Sequence, residues 1–165
     1  MSTTSNDSPG DEAVFPNEGR LLGLDYGTKR LGISISTPDQ SIASPVDNYT
    51  RRSEALDARR LRELVEEFRP VGVVVGLPLH TGGEEGQKAH EARTFGKWVG
   101  ETLGLPVTYW DERFTSARAE EQLIAVDMTR KKRKQRLDKM AAQFILQAYL
   151  DRPRPQEETG HESEH

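Results

Sequence analysis

The 165-residue chain contains no cysteine. Disulfides and cysteine-ligated zinc are therefore excluded. No stretch approaches the roughly 20 apolar residues that a membrane-spanning helix needs. The opening residues, MSTTSNDSPGDEAVFPNEG, lack the apolar run of a secretory signal. These absences predict a cytoplasmic protein with no membrane partner. Apolar residues are also scarce, at 34% against 30% charged. The core must then be concentrated in a few segments, and two stand out: Leu21–Ile35 and Val71–Leu79.

An excess of basic charge is missing too. The net charge is −4, which taken alone argues against a nucleic-acid partner. The distribution reverses that reading. In RKKRKQR, at 130–136, Arg130, Lys131, Lys132, Arg133, Lys134 and Arg136 are all basic. Taking those six from the 23 Lys and Arg leaves 17 against 27 Asp and Glu. An acidic protein with one intensely basic segment points to a local polyanion contact. A solvated loop with no partner is the plain alternative.

Residues 1–19 and 152–165 are polar, acidic and contain proline, and read as disordered ends flanking one domain at 20–151. In that domain, Leu21–Tyr26 and Arg30–Thr37 read as strands joined by a tight turn at Gly27, a residue free to adopt positive φ. A third short strand is expected over Ser44–Tyr49. Ser53–Phe68 carries Leu56, Leu61, Leu64, Val65 and Phe68 near helical spacing, with Ser53 as cap. Val71–Leu77 is a continuous β-branched run, typical of a strand buried on both faces. A helix over Gln87–Leu103, a strand over Leu105–Glu112 and a helix over Thr115–Ala125 follow. The last helix, Leu137–Leu150, is striped by Leu137, Met140, Ala141, Phe144, Ile145 and Ala148. This order predicts an α/β fold, a mixed five-stranded sheet with helices on both faces. Ligands of such sheets bind beyond the carboxyl ends of the strands.

Three acids are candidates for chemistry. Asp25 ends an apolar run, and a buried carboxylate needs a partner. Asp111 ends VTYWD and reads equally well as a turn or cap acid. Asp138 opens the last predicted helix, where the helix dipole alone would favour an anion. If the three converge, they cannot all stay ionised without a cation. Hard oxygen donors suit one or two Mg²⁺ or Mn²⁺ ions. Two such ions about 4 Å apart can orient a water and stabilise the leaving oxygen in phosphodiester cleavage. The basic segment immediately precedes Asp138, so a polyanion held there would lie beside the acids. Lys29, Arg30 and Arg113 adjoin the acids and read either as phosphate-neutralising groups or as surface charges. His80 reads as an ordinary loop residue, and His161 and His165 lie in a polar tail. Tyr26, Tyr109 and Trp110 read as core or sheet-face residues.

LGLDYGTKRLGIS, VVVGLPL…G, WDERFTSARAE and RLDKMAAQFILQAYLD, in that order, resemble the YqgF/RuvX family of bacterial RNase H-like proteins over roughly residues 20–151. The resemblance implies an RNase H-like fold and a metal-dependent site at Asp25, Asp111 and Asp138. It implies one of two activities, maturation of the 5′ end of pre-16S ribosomal RNA or cleavage of four-way DNA as a Holliday-junction resolvase. The partners implied are an RNA precursor, free or within ribosomal precursor particles, or branched DNA. The chain departs from the family at His80-Thr81-Gly82-Gly83, where Gly82 stands in place of a frequent acid. Actin-like and sugar-kinase-like ATPases share the fold and an Asp-x-Gly-Thr hairpin, but need two related domains and a second Asp-x-Gly motif. A non-catalytic nucleic-acid-binding protein with a vestigial site stays open. A junction resolvase cuts two strands symmetrically and works as a two-fold dimer. No exposed apolar helix face announces such an interface, which favours a monomer or weak homodimer and the RNA-processing reading.

Overall fold

The computed structural model describes residues 15–115 and 129–153, with the side chains of residues 133–139 outside that description. Strands β1 (Leu21–Asp25), β2 (Arg30–Ser36), β3 (Ala43–Thr50), β4 (Gly72–Leu77) and β5 (Val107–Asp111) form one sheet. Their spatial order is β3-β2-β1-β4-β5. The β1–β4 and β4–β5 pairs are parallel, and the β1–β2 and β2–β3 pairs antiparallel. The described helices are α1 (Glu54–Phe68), α2 (Gln87–Leu103) and α3 (Arg130–Asp151). The mixed five-stranded sheet expected from the sequence is therefore present.

Side-chain alternation sorts the strands between two cores. Leu22, Leu24, Val73 and Val75 pack with Leu61 and Leu64 of α1 and Phe95 and Val99 of α2. Leu21 and Val74 point the other way, onto Ile145, Leu146 and Tyr149 of α3. Helices thus cover both faces. Every residue of β4 is buried, as its β-branched run requires. Ser53 caps α1, its Oγ accepting from the Leu56 N–H at 3.2 Å. Among the described residues, no helix is long and apolar enough to cross a membrane.

Asp57 of α1 is only 2% exposed and ties the helix to the end of β3. It accepts from the Tyr49 hydroxyl at 2.9 Å, the Arg51 Nε at 3.1 Å and the Arg52 N–H at 2.9 Å. Burial pushes its carboxyl up, but the donors from Arg52, Arg51 and Tyr49 outweigh that and hold it below the ordinary range. A carboxyl depressed on folding contributes stability above its unfolded value, lost as pH falls through the folded one. The domain should therefore lose stability in acid below the ordinary aspartate value of 3.8. Asp57→Ala should cost about 2–4 kcal/mol at neutral pH, because it strands three part-buried donors. Denaturant unfolding of wild type and variant at pH 7 and pH 3 checks both; a gap that does not shrink in acid would contradict the assignment.

Three sequence expectations change. Gly27 does not adopt positive φ, which in described glycines belongs to Gly19, Gly83 and Gly104. Its role is close approach: a Cβ there would stand 2.6 Å from the Arg30 carbonyl oxygen. Phe15, assigned by sequence to the polar N-terminal extension, packs edge-on against Tyr149 with ring centroids 6.1 Å apart. The last helix starts seven residues earlier than its apolar stripe suggests, at Arg130, with Thr129 as cap. The basic segment is helix, not loop. Arg, Lys and Gln are good helix formers even where no apolar periodicity marks them. The helix expected over Thr115–Ala125 lies outside the described residues beyond Thr115.

Candidate active site

Asp25 stands at the carboxyl end of β1, paired with Gly32 of β2. A hollow of about 290 Å³ opens beside it, lined also by Lys29, Arg30 and Asn48. Both cations are exposed. Asp25 shares strand parity with Leu21, so it lies on the α3 face of the sheet.

Asp111 ends β5, opposite Leu77 of β4. It shares parity with Tyr109, which packs on the α1–α2 side. Arg113 grips it: Nε lies 3.0 and 2.9 Å from the two carboxylate oxygens, and a terminal nitrogen 2.5 Å from Oδ2. The Arg113 guanidinium holds the Asp111 carboxyl below the usual carboxylate range. The same guanidinium donates to the Thr81 carbonyl at 3.0 Å. The loop in which Gly82 replaces an acid is thereby tied to Asp111. His80 belongs to that loop, its N–H donating to the Glu84 carbonyl.

The residue that the sequence reading missed is Glu112. It opens the 3₁₀ turn Glu112–Phe114 and is half-buried. Its side chain crosses the α3 face toward β1, over a notch at Gly76 of β4. A Cβ on Gly76 would meet Glu112 Oε2 at 2.5 Å and Ile145 Cδ1 at 2.6 Å. Glycine is therefore what lets the carboxyl reach between β5 and β1. Burial first, then the charges of Asp25 and Asp111, push the Glu112 carboxyl up to about 7. A usable signal existed in the sequence. In VTYWDE, a two-residue period puts Glu112 on the same face as Trp110, and Trp110 packs onto Tyr149 of α3.

Helix α3 runs antiparallel to β1. Leu146 lies against Gly23, and Ala142 against Gly32 beside Asp25. Residue 138 is one turn before Ala142 on the helix backbone, so it sits in the third turn of α3. The first-turn dipole reading of Asp138 therefore falls away. The Asp138 side chain is outside the described residues, as are those of Arg133, Lys134 and Arg136. Arg130, Lys131 and Lys132 are exposed. At 1.5 Å per residue, 130–136 lie about 9–18 Å beyond Ala142, overhanging the strand ends where the acids stand. Among the described side chains, no three carboxylates or imidazoles close into a metal-binding group.

A family model described as "RuvX: Holliday junction resolvase" matches residues 19–152. The chain belongs to the RuvX family. Among RuvX relatives, a protein of Bradyrhizobium diazoefficiens (strain JCM 10833 / BCRC 13528 / IAM 13628 / NBRC 14792 / USDA 110) is 41% identical over 138 residues, covering 84% of this chain and 86% of its own. One of Rhodopseudomonas palustris (strain TIE-1) is 44% identical over 138 residues, with the same coverage. Both carry the name "Putative pre-16S rRNA nuclease". Among solved structures, T. thermophilus RuvC in complex with a Holliday junction substrate superposes with a TM-score of 0.51 at 15% identity. That match covers 79% of this chain and 91% of RuvC. The RuvX chain therefore has the RNase H-like fold of the RuvC resolvases.

Proposed function

We propose that the protein is a phosphodiester-cleaving nuclease whose acids at the strand ends hold one or two Mg²⁺ or Mn²⁺ ions. The observation that carries this is Glu112, a carboxyl pushed to about 7 by burial and by two neighbouring acids. A site that gathers negative charge at such cost suits a cation. The donor set is all oxygen, which fits a hard divalent ion. Asp25 and Glu112 would hold it on the α3 face of the sheet, joined by Asp138 from α3 and by Asp111 once Arg113 releases it. Such an ion would supply a Lewis acid for the phosphate oxygens and lower the pKa of water.

The chain's own cations have separate tasks. Lys29 and Arg30 beside the Asp25 hollow would neutralise phosphate charge. Arg113 orients Asp111 and fixes the Thr81 loop. The basic turns of α3 would hold the polyanion over the acids. Replacing Arg130, Lys131 and Lys132 by alanine should reduce the slope of log Kd against log salt by roughly 2–3. Binding titrations at several salt concentrations test this; an unchanged slope removes the helix from the interface.

The substrate favoured is the precursor of 16S ribosomal RNA, free or within ribosomal precursor particles, in the cytoplasm. The relatives' name supports that reading, and a monomer or weak homodimer suffices for it. The family description favours four-way DNA instead, which calls for a two-fold dimer. Cleavage of both labelled substrates, with Mg²⁺, Mn²⁺ or chelator, decides between them. Metal-dependent cleavage of the precursor alone is the expected result. Salt-sensitive binding without cleavage of either would return a binding protein.

A further inference from the structure

A second cavity, of about 510 Å³, lies across the β1–β2 turn from the Asp25 hollow, between that turn and helices α1 and α2. Its size suits a small-molecule-sized ligand group. One wall is aromatic. The Tyr26 and Phe95 ring centroids are 4.9 Å apart, and those of Phe95 and Trp98 are 5.8 Å apart. The Trp98 indole N–H donates to Glu54 at 3.0 Å, which fixes the ring. The Arg51 guanidinium stands 5.3 Å from the Tyr26 centroid and 5.5 Å from that of Phe95.

The charges of this cavity select what can enter. Arg51 is already paired with Asp57. Glu54 and Glu91 also line the cavity, so its interior repels a phosphate. Arg52, exposed at its edge, makes no ion pair among the described residues. A flat ring inside and an anion outside is therefore the complementary pattern. The cavity and the Asp25 hollow share Tyr26 and Thr28. A strand lying at Asp25 has only this turn to round before it reaches the aromatic wall.

We infer that this cavity takes an unpaired nucleobase of the bound strand, stacked on Trp98, which the buried Phe95 ring backs, with the adjoining phosphate on Arg52. The inference rests on the nucleic-acid reading above and assigns it a preference: strands that can splay out a base beside the scissile phosphate. Stacking of a base on an aromatic ring is sequence-tolerant, because every base has a π-face.

The test compares a single-stranded oligonucleotide with its full duplex by fluorescence anisotropy, using wild type and Trp98→Leu. The variant should bind the single strand roughly tenfold more weakly and the duplex within about twofold of wild type. A wild-type arm guards against misfolding of the variant. A strand carrying 5-iodocytidine is irradiated on the native protein, and the adduct is mapped by mass spectrometry. Adducts on Trp98 or Tyr26 are expected. Adducts confined to other segments, or equal single-strand affinity in variant and wild type, would overturn the inference. With precursor cleavage persisting in that case, the nuclease reading stands without the base cavity. Failure of wild type to bind either oligonucleotide would overturn both.

Discussion

Asp25→Asn should lower the cleavage rate on the order of 10²-fold or more while leaving the fold in place. Asparagine keeps the shape of the side chain, so the Gly32 pairing and the contact with α3 survive. Only the charge and one anionic donor are lost. A second readout separates a role in the charged site from a structural one. Asp25 is one of the two acids that help push the Glu112 carboxyl up. Neutralising it should bring the Glu112 titration down toward the ordinary carboxylate value. Carboxyl NMR of the metal-free variant measures that shift directly. Full activity in the variant would remove Asp25 from the chemistry. Lost activity with an unmoved Glu112 would separate the two residues and break the cluster.

Glu112→Gln should abolish cleavage to a similar degree and, in chelator, make the protein more stable. The sign follows from linkage. The folded value, about 7, lies above the ordinary glutamate value of 4.5. Folding is therefore unpenalised below the ordinary carboxylate range and grows costlier as pH rises through it toward 7. Glutamine escapes that cost. At pH 8 the variant should gain about 1–3 kcal/mol, or roughly 3–8 °C in melting midpoint. At pH 4 the two proteins should melt together. Adding Mg²⁺ at pH 8 should narrow the gap, since a cation relieves in wild type what glutamine removes. Thermal melts across pH, with chelator and with Mg²⁺, check each step. A variant less stable than wild type at pH 8 would mean that Glu112 holds the fold together and that its burial serves packing.

The legible and illegible parts of this chain divide along physical lines. Local patterns sufficed for the strands, because β1 and β4 are apolar runs bounded by turn residues. They also sufficed for the Ser53 cap and for the apolar stripe of α3. The start of α3 was not legible from apolar spacing, because 130–136 contains no apolar residue; its helicity rests on propensity and on the Thr129 cap. For Glu112 the strand period gave its face but not its inward reach, for a different reason. In sequence it is the middle of a charged Asp-Glu-Arg triplet. Its inward course depends on Gly76, 36 positions earlier and on the neighbouring strand. The sequence leaves Arg113 open between a group for phosphate and a surface charge; in the structure it pairs with Asp111 and donates to the Thr81 carbonyl.

Helix α3 is a single rod with two unlike halves. Its C-terminal half is keyed to the sheet by Leu146 at Gly23 and Ala142 at Gly32. Its N-terminal half carries the cations past the sheet edge. How far those cations overhang is then set by packing several turns away. Six of the seven residues 130–136 are basic, and at about 100° per residue they ring the helix axis. A single residue inserted after Arg136 would turn them by about 100° and advance them about 1.5 Å, with positive charge still all round the rod. For this helix, reach rather than phase belongs to the interface.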